Sequence, residues 1–232
     1  MSIKKMHGTI TKVTDLTPTA KQLTFSLPDA MPFIAGSFVN VFFTHDGATT
    51  RRAYSISSSD EKKHEINLSI RHNLKGIMSP QMWLRDFTGE QVELMGPLGV
   101  NTADKMKEPH AFLFGFGIGT GVIKSVAEHL IHREGLESLT VMTGNRGVDE
   151  LVHKDYFDAL SSDPRVSVSY IVSIEDPTGV YPKGYIQDYI GGLDFNHADV
   201  YVCGQEIACA TLVEKIKATN PEHCNFFIEG FH

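Results

Sequence analysis

The 232-residue chain is short of cysteine, of long apolar runs and of surplus positive charge, and each shortage removes a class of protein. Its three cysteines, Cys203, Cys209 and Cys224, all lie near the C-terminus. They are too few and too clustered for a disulfide framework, and one short of the four thiolates that hold an iron-sulfur cluster. No window reaches the roughly 18 uninterrupted apolar residues of a membrane span. Met1-Ser2-Ile3-Lys4-Lys5-Met6-His7 lacks the apolar stretch and small-residue cleavage site of a secretory signal, so a cytoplasmic address is expected. A nucleophile elbow, a paired-carboxylate signature and a Walker lysine are also missing. Net charge is −7, with 11 Lys/Arg against 9 Asp/Glu in residues 1–100 and 10 against 19 in residues 101–232. The acidic second half argues against nucleic acid as a ligand, although solubility alone also explains it. The mildly basic first half suits cofactor phosphates or an acidic protein partner.

What is present reads as two rhythms. Short strands are expected at 10–13, 22–27, 38–43, 54–57, 65–71 and 92–95, with clean alternation in Ile66-Asn67-Leu68-Ser69-Ile70 and a turn signal at Asp46-Gly47. This pattern predicts a small antiparallel barrel, interrupted by one helix over 77–87 that carries Met78, Met82, Trp83 and Leu84. After the polar stretch 101–109 the rhythm changes. Apolar runs at 111–116, 138–143, 166–172, 199–203 and 224–228 alternate with helical segments near 121–133, 150–160, 185–191 and 206–218, which predicts a five-stranded parallel α/β sheet. The domain boundary is placed at 100/101, giving domains 1–100 and 101–232.

Arg52-Ala53-Tyr54-Ser55 combines a phosphate-pairing cation, a flat aromatic ring and a hydroxyl on one expected strand, where Arg52 and Tyr54 share a face and Ser55 takes the other. A planar ring system bearing phosphates needs all three. Further on, Ala111-Phe112-Leu113-Phe114 feeds Gly115-Phe116-Gly117-Ile118-Gly119-Thr120-Gly121 into a helix, whose bare N–H groups suit pyrophosphate. The spacing is not G-x-G-x-x-G, and no acid ends the next strand at Thr143-Gly144-Asn145, so tight packing is the other reading of these glycines. Asp199-Val200-Tyr201-Val202-Cys203-Gly204-Gln205 carries the Cys203 thiol to the carboxyl edge of the sheet, where ligands bind, although a lone cysteine also serves as a small core residue. His129 and His132 stand three apart on an expected helix without a third ligand at recognisable spacing. A solvated helix face accounts for them, and no metal site is expected.

Taken in order, Arg52-Ala53-Tyr54-Ser55, Gly76 to Ser79, Gly96-Pro97-Leu98-Gly99, Gly119-Thr120-Gly121 and Cys203-Gly204 resemble the ferredoxin-NADP reductase family over nearly the whole chain. The resemblance implies a Greek-key flavin-binding barrel followed by a nucleotide-binding α/β domain, with FAD and NAD(P)H as cofactors. It sets Arg52 on the flavin phosphates, Tyr54 against the isoalloxazine with Ala53 beside it, and Ser55 near N5. Ile70, Arg71, Gly76, Ile77, Met78 and Ser79 follow as flavin contacts, Ser79 having a second reading as a helix cap. Gly119, Thr120 and Gly121 would hold the dinucleotide pyrophosphate, Cys203 and Gly204 the nicotinamide, and Arg146 the adenosine end, with Lys154 as a further cation. In the tail, Phe231 reaches back to the flavin, while Glu229 either relays protons or stands as a solvated carboxylate. Ser55, Cys203 and Glu229 form the implied catalytic set. Lys124, Gln205 and Ala208 depart from the family pattern, and Ile174 follows Ser173 where NADP-preferring relatives often carry arginine, so NADPH and NADH stay balanced. The implied partner is a ferredoxin, a flavodoxin or an oxygenase component. Reduction of small acceptors (free flavin, quinone, ferric chelates) and a non-catalytic flavin- or nucleotide-sensing module are the alternatives.

Overall fold

A computed structural model describes residues 2–45, 47–76, 78–174 and 176–231. The turn residue Asp46, the flavin contact expected at Ile77 and the terminal His232 lie outside the described residues. The first sheet is antiparallel and six-stranded: β1 (Lys4–Thr17), β2 (Ala20–Ser26), β3 (Phe38–His45), β4 (Ala48–Ser55), β5 (Glu65–Arg71) and β6 (Gln91–Leu98), in the order β4-β3-β6-β1-β2-β5. Period-two burial builds it. In β5, Ile66, Leu68 and Ile70 are buried while Glu65, Asn67 and Ser69 face out, the pattern of a sheet with one wet face. An Ile56–Leu68 bridge brings the β4 end against β5 and curls the sheet into a half-barrel around Phe25, Val41 and Leu94.

The helix expected over 77–87 shrinks to one turn, α1 (Gln81–Leu84). Arg85 is already extended, and the Asp86 carboxylate accepts the Thr88 N–H and hydroxyl, a local turn that competes with helix continuation.

The second sheet is wholly parallel. It comprises β7 (His110–Phe116), β8 (Ser138–Asn145), β9 (Val166–Val172), β10 (Ala198–Gln205) and β11 (Cys224–Phe231), in the order β11-β10-β7-β8-β9. Helices α2 (Thr120–Leu130) and α3 (Lys154–Leu160) pack on one face, and α4 (Glu206–Lys217) on the other. Every residue of β10 but Gln205 is buried, as a strand covered on both faces must be. The helix expected near 150–160 starts only at Lys154, because His153 adopts a left-handed φ of 57°. The one expected over 185–191 is a 3₁₀ turn, Ile186–Asp188, with the Asp188 carboxylate accepting the Tyr185 N–H.

Polar contacts seal the two sheets together. The Thr17 and Thr19 hydroxyls donate to Glu150 Oε2 at 3.0 and 2.5 Å, Ser125 Oγ donates to the Ser58 carbonyl at 2.7 Å, and Ser69 Oγ meets His153 Nε2 at 3.0 Å. His129 Nδ1 pairs with Asp60 Oδ2 at 2.7 Å. This corrects the reading of His129 as part of a solvated helix face: its ring is half-buried against the barrel. Among the described residues no helix is long and apolar enough to cross a membrane.

Candidate functional site

The strand order reverses at β7, whose neighbours β8 and β10 run off in opposite directions along the chain, and a crevice opens at the carboxyl ends of these strands. The half-barrel closes the other side of it, leaving a groove of about 800 Å³. From β4 come Arg52, Ala53, Tyr54 and Ser55; from the β5 end, Arg71; and from the following loop, Gly76, Met78 and Ser79. The parallel sheet contributes Gly119, Gly121, Cys203, Glu229 and Phe231. Thirteen of the expected site residues, named in these two sentences, thus share one cavity.

Its electrostatics are one-sided. Among the described residues, Arg52, Arg71 and Lys75 line it as cations, against the single carboxyl of Glu229. Burial pushes the Tyr54 phenol up to about 12, with Arg52 pulling the other way, so the ring is neutral at physiological pH. Ser79 does not cap α1. Its hydroxyl donates to the Asn73 carbonyl and accepts the Asn73 N–H, both at 2.9 Å, which ties down the loop between β5 and α1.

The glycines of the second sheet pack as tightly as their alternative reading requires. A Cβ on Gly119 would collide with the Cys203 carbonyl, and one on Gly121 would come within 2.8 Å of Ser69, so the turn before α2 is pressed against both β10 and the barrel. Thr120 is fully buried, Ile70 sits in the barrel core, and Gly204, at φ +149°, lies outside the groove lining. The Cys203 thiol is buried; burial, with Cys209 and Glu229 nearby, holds it well above the ordinary thiol range, so it is a neutral wall and not a nucleophile. Burial also raises Glu229, while the Asn101 side chain, donating to Oε1 at 2.9 Å, pulls it down. Glu229 is therefore a partly buried, hydrogen-bonded carboxyl and not the solvated terminal one.

A second cavity of about 550 Å³ adjoins the first through Arg71, Ile118 and Phe231, and Arg146 lines it with Glu150, Tyr185 and Gln187. Lys154 is instead engaged with Asp158 on α3. Sequence reasoning passed over Ser69, Asn73 and Lys75 in the groove, and Asn101, which holds Glu229. Asn73-Leu74-Lys75-Gly76 carried a turn signal that, set after Arg71, marks a cationic loop.

The groove suits a long, planar, phosphate-bearing cofactor: its volume lies in the range of ligand sites, its rim is cationic, and Tyr54 offers a neutral ring face. A half-barrel fused to a parallel α/β sheet, with such a groove at the switch point, is the architecture shared by two-domain FAD-binding reductases. Residues 7–102 match the family model described as an oxidoreductase FAD-binding domain. The chain is 30% identical over 205 residues to the toluate 1,2-dioxygenase electron transfer component of Pseudomonas putida, covering 87% of this chain and 59% of that protein. It is 28% identical over 191 residues to a probable flavin reductase of Aliivibrio fischeri, covering 79% of each. In fold it superposes on a ferredoxin NADP+ reductase from Neisseria gonorrhoeae with bound FAD and NADP, at a TM-score of 0.83, 16% identity and full coverage of both chains. Residues 7–102 thus carry the sequence pattern of an oxidoreductase FAD-binding domain, and the whole chain has the two-domain fold of a ferredoxin NADP+ reductase. It spans about three fifths of the length of the dioxygenase component.

Proposed function

We propose that this chain takes electrons from NAD(P)H into FAD and delivers them to a separate redox protein: a ferredoxin, a flavodoxin or an oxygenase component. The observation that carries this is the single groove joining Arg52, Tyr54 and Ser55 of the barrel to Cys203 and Glu229 of the parallel sheet. When bound, the flavin supplies two-electron uptake and one-electron release. The protein's share is placement. Arg52, with Arg71 and Lys75, holds phosphates, and Tyr54 lies along the ring with Ser55 at its N5 edge. The loop pinned by Ser79 and Asn73 supplies Gly76 and Met78. Gly119-Thr120-Gly121 meets the dinucleotide pyrophosphate, Cys203 and Gly204 shape the nicotinamide end, Arg146 takes the adenosine end, and Phe231 covers the flavin. Glu229 is the groove's proton-holding group. The domain division at 100/101 and a cytoplasmic address belong to the same reading, the latter supported by three free thiols.

Likeness to a dioxygenase electron transfer component favours the protein acceptor. Likeness to a probable flavin reductase, with equal coverage of both chains, supports small acceptors as a second reading. Adding NADH and then NADPH to the FAD-loaded protein without oxygen tests the proposal. Bleaching of the flavin band with either donor is expected, and no bleaching with both leaves only a sensing role. Turnover of free flavin or ferric chelate without a protein acceptor would favour the second reading.

A further inference from the structure

Between the two sheets the chain passes through Asn101, a residue the proposal above leaves idle. Its Nδ2 donates to the Ile228 carbonyl at 2.8 Å and to Glu229 Oε1 at 2.9 Å. Both acceptors are oxygens, so only one orientation of the amide satisfies them. The Asn101 carbonyl accepts the Tyr201 hydroxyl at 3.1 Å. Tyr201 is fully buried in β10, and burial holds its phenol protonated, so it stays a donor. On the barrel side Gly36, at φ +93°, approaches the same carbonyl so closely that any Cβ would collide with it. Backbone and side chain of Asn101 are thus both fixed, one by β10 and the barrel, the other by β11.

Resting on the reading of Glu229 as the proton-holding group, we propose that Asn101 is the positioning residue that fixes the Glu229 carboxyl in the groove and reserves its proton for Oε2. In a neutral carboxyl the carbonyl oxygen is a better acceptor than the hydroxyl oxygen, so the oxygen that takes the Asn101 N–H is the carbonyl and the acid proton sits on the other. Oε2 exchanges its proton with bulk solvent at the mouth of the groove, its O–H bond breaking as a water takes the proton and forming again as one returns it, while Oε1 stays bound to Asn101. Among the described residues the ionisable groups around this carboxyl are the Cys203 thiol and Tyr201 phenol from β10, with Arg52 and Tyr54 of β4, Arg71 of β5, and His72 and Lys75 of the following loop along the groove. Asn101 hydrogen-bonds the ionised form and holds the carboxyl's titration down against the upward pull of burial.

The test uses the full FAD-loaded chain with carbon-13-labelled glutamate, the Glu229 carboxyl resonance being assigned by its loss in Glu229→Gln. In Asn101→Ala that resonance should titrate at higher pH, and the limb of the flavin-reduction pH profile that disappears in Glu229→Gln should move with it, with FAD retained. Tyr201→Phe should shift both in the same direction by less, which keeps the test open should Asn101→Ala not fold. A resonance and a limb unmoved in both variants overturn the role of Asn101 while leaving Glu229 in place. A pH profile unchanged in Glu229→Gln removes the underlying reading of Glu229, and the proposal with it.

Discussion

Arg52 and Ser55 stand three residues apart on one exposed strand, yet their chemistry separates them. A guanidinium holds phosphates in every state of the reaction, whereas a hydroxyl beside a ring nitrogen acts on the reacting centre. Arg52→Ala should weaken FAD retention by about 10- to 100-fold, the worth of a charge-assisted contact, seen as loss of yellow protein on gel filtration. Ser55→Ala should keep the FAD and slow its reduction about tenfold in stopped-flow; a variant as fast as the parent would remove the hydroxyl from the chemistry. At this scale the groove lining was legible where its residues are consecutive or nearly so: Arg52 to Ser55, then Gly76, Met78 and Ser79, and Cys203 all stand in segments that announce themselves locally. Asn101, Asn73 and Lys75 did not, because polar residues in turns carry no signal until the fold supplies their partners.

At the scale of elements, α2 and the left-handed entry to α3 carry two histidines of opposite behaviour. The side chain of Asp60 raises His129 above its ordinary 6.5, and His129 in turn lowers Asp60. The stability His129 supplies is therefore complete below about pH 6.5 and lost as pH climbs through its folded value; that of Asp60 is present above about 3.8 and lost on acidification. Burial, with Lys124 nearby, pushes His153 down to about 4, so the unfolded chain binds that proton first and stability falls as pH drops from about 6.5 toward 4. His129→Ala should thus lower the melting temperature more near pH 5 than near pH 8. His153→Asn, which keeps the left-handed backbone, should recover about 1–2 kcal/mol near pH 5 relative to pH 8. Equal pH slopes for both variants and the parent would count against the assignment. Strands with one buried face, such as β5, were legible from alternation alone. Strand β4 was only half so, expected at 54–57 and found at Ala48–Ser55, because it has no buried face to pattern. The two shortened helices, each cut to a single turn, share a reason: an aspartate, Asp86 or Asp188, captured the local backbone in a turn.

Over the whole molecule, three apolar cores stand apart, one inside the barrel and one on each face of the parallel sheet, and hydrogen bonds knit the seam between them. None of these pairs was legible, since Thr17 and Glu150 lie 133 residues apart and Ser69 and His153 lie 84 apart. Glu150 has a double position, gripping Thr17 and Thr19 across the seam while lining the second cavity and not the first. Removing it takes the shared acceptor from the Thr17 and Thr19 hydroxyls, worth about 1–3 kcal/mol, and slackens the wall on which the adenosine end of the donor is proposed to rest. Glu150→Ala should therefore lower the melting temperature by a few degrees, at roughly 2–4 °C per kcal/mol for a chain of this size. It should also raise the KM for the nicotinamide donor while FAD stays bound, because Glu150 lines the second cavity with Arg146, proposed for the adenosine end, and not the first. Loss of FAD with an unchanged donor KM would mean that the seam serves the barrel site and not the adenosine end of the donor.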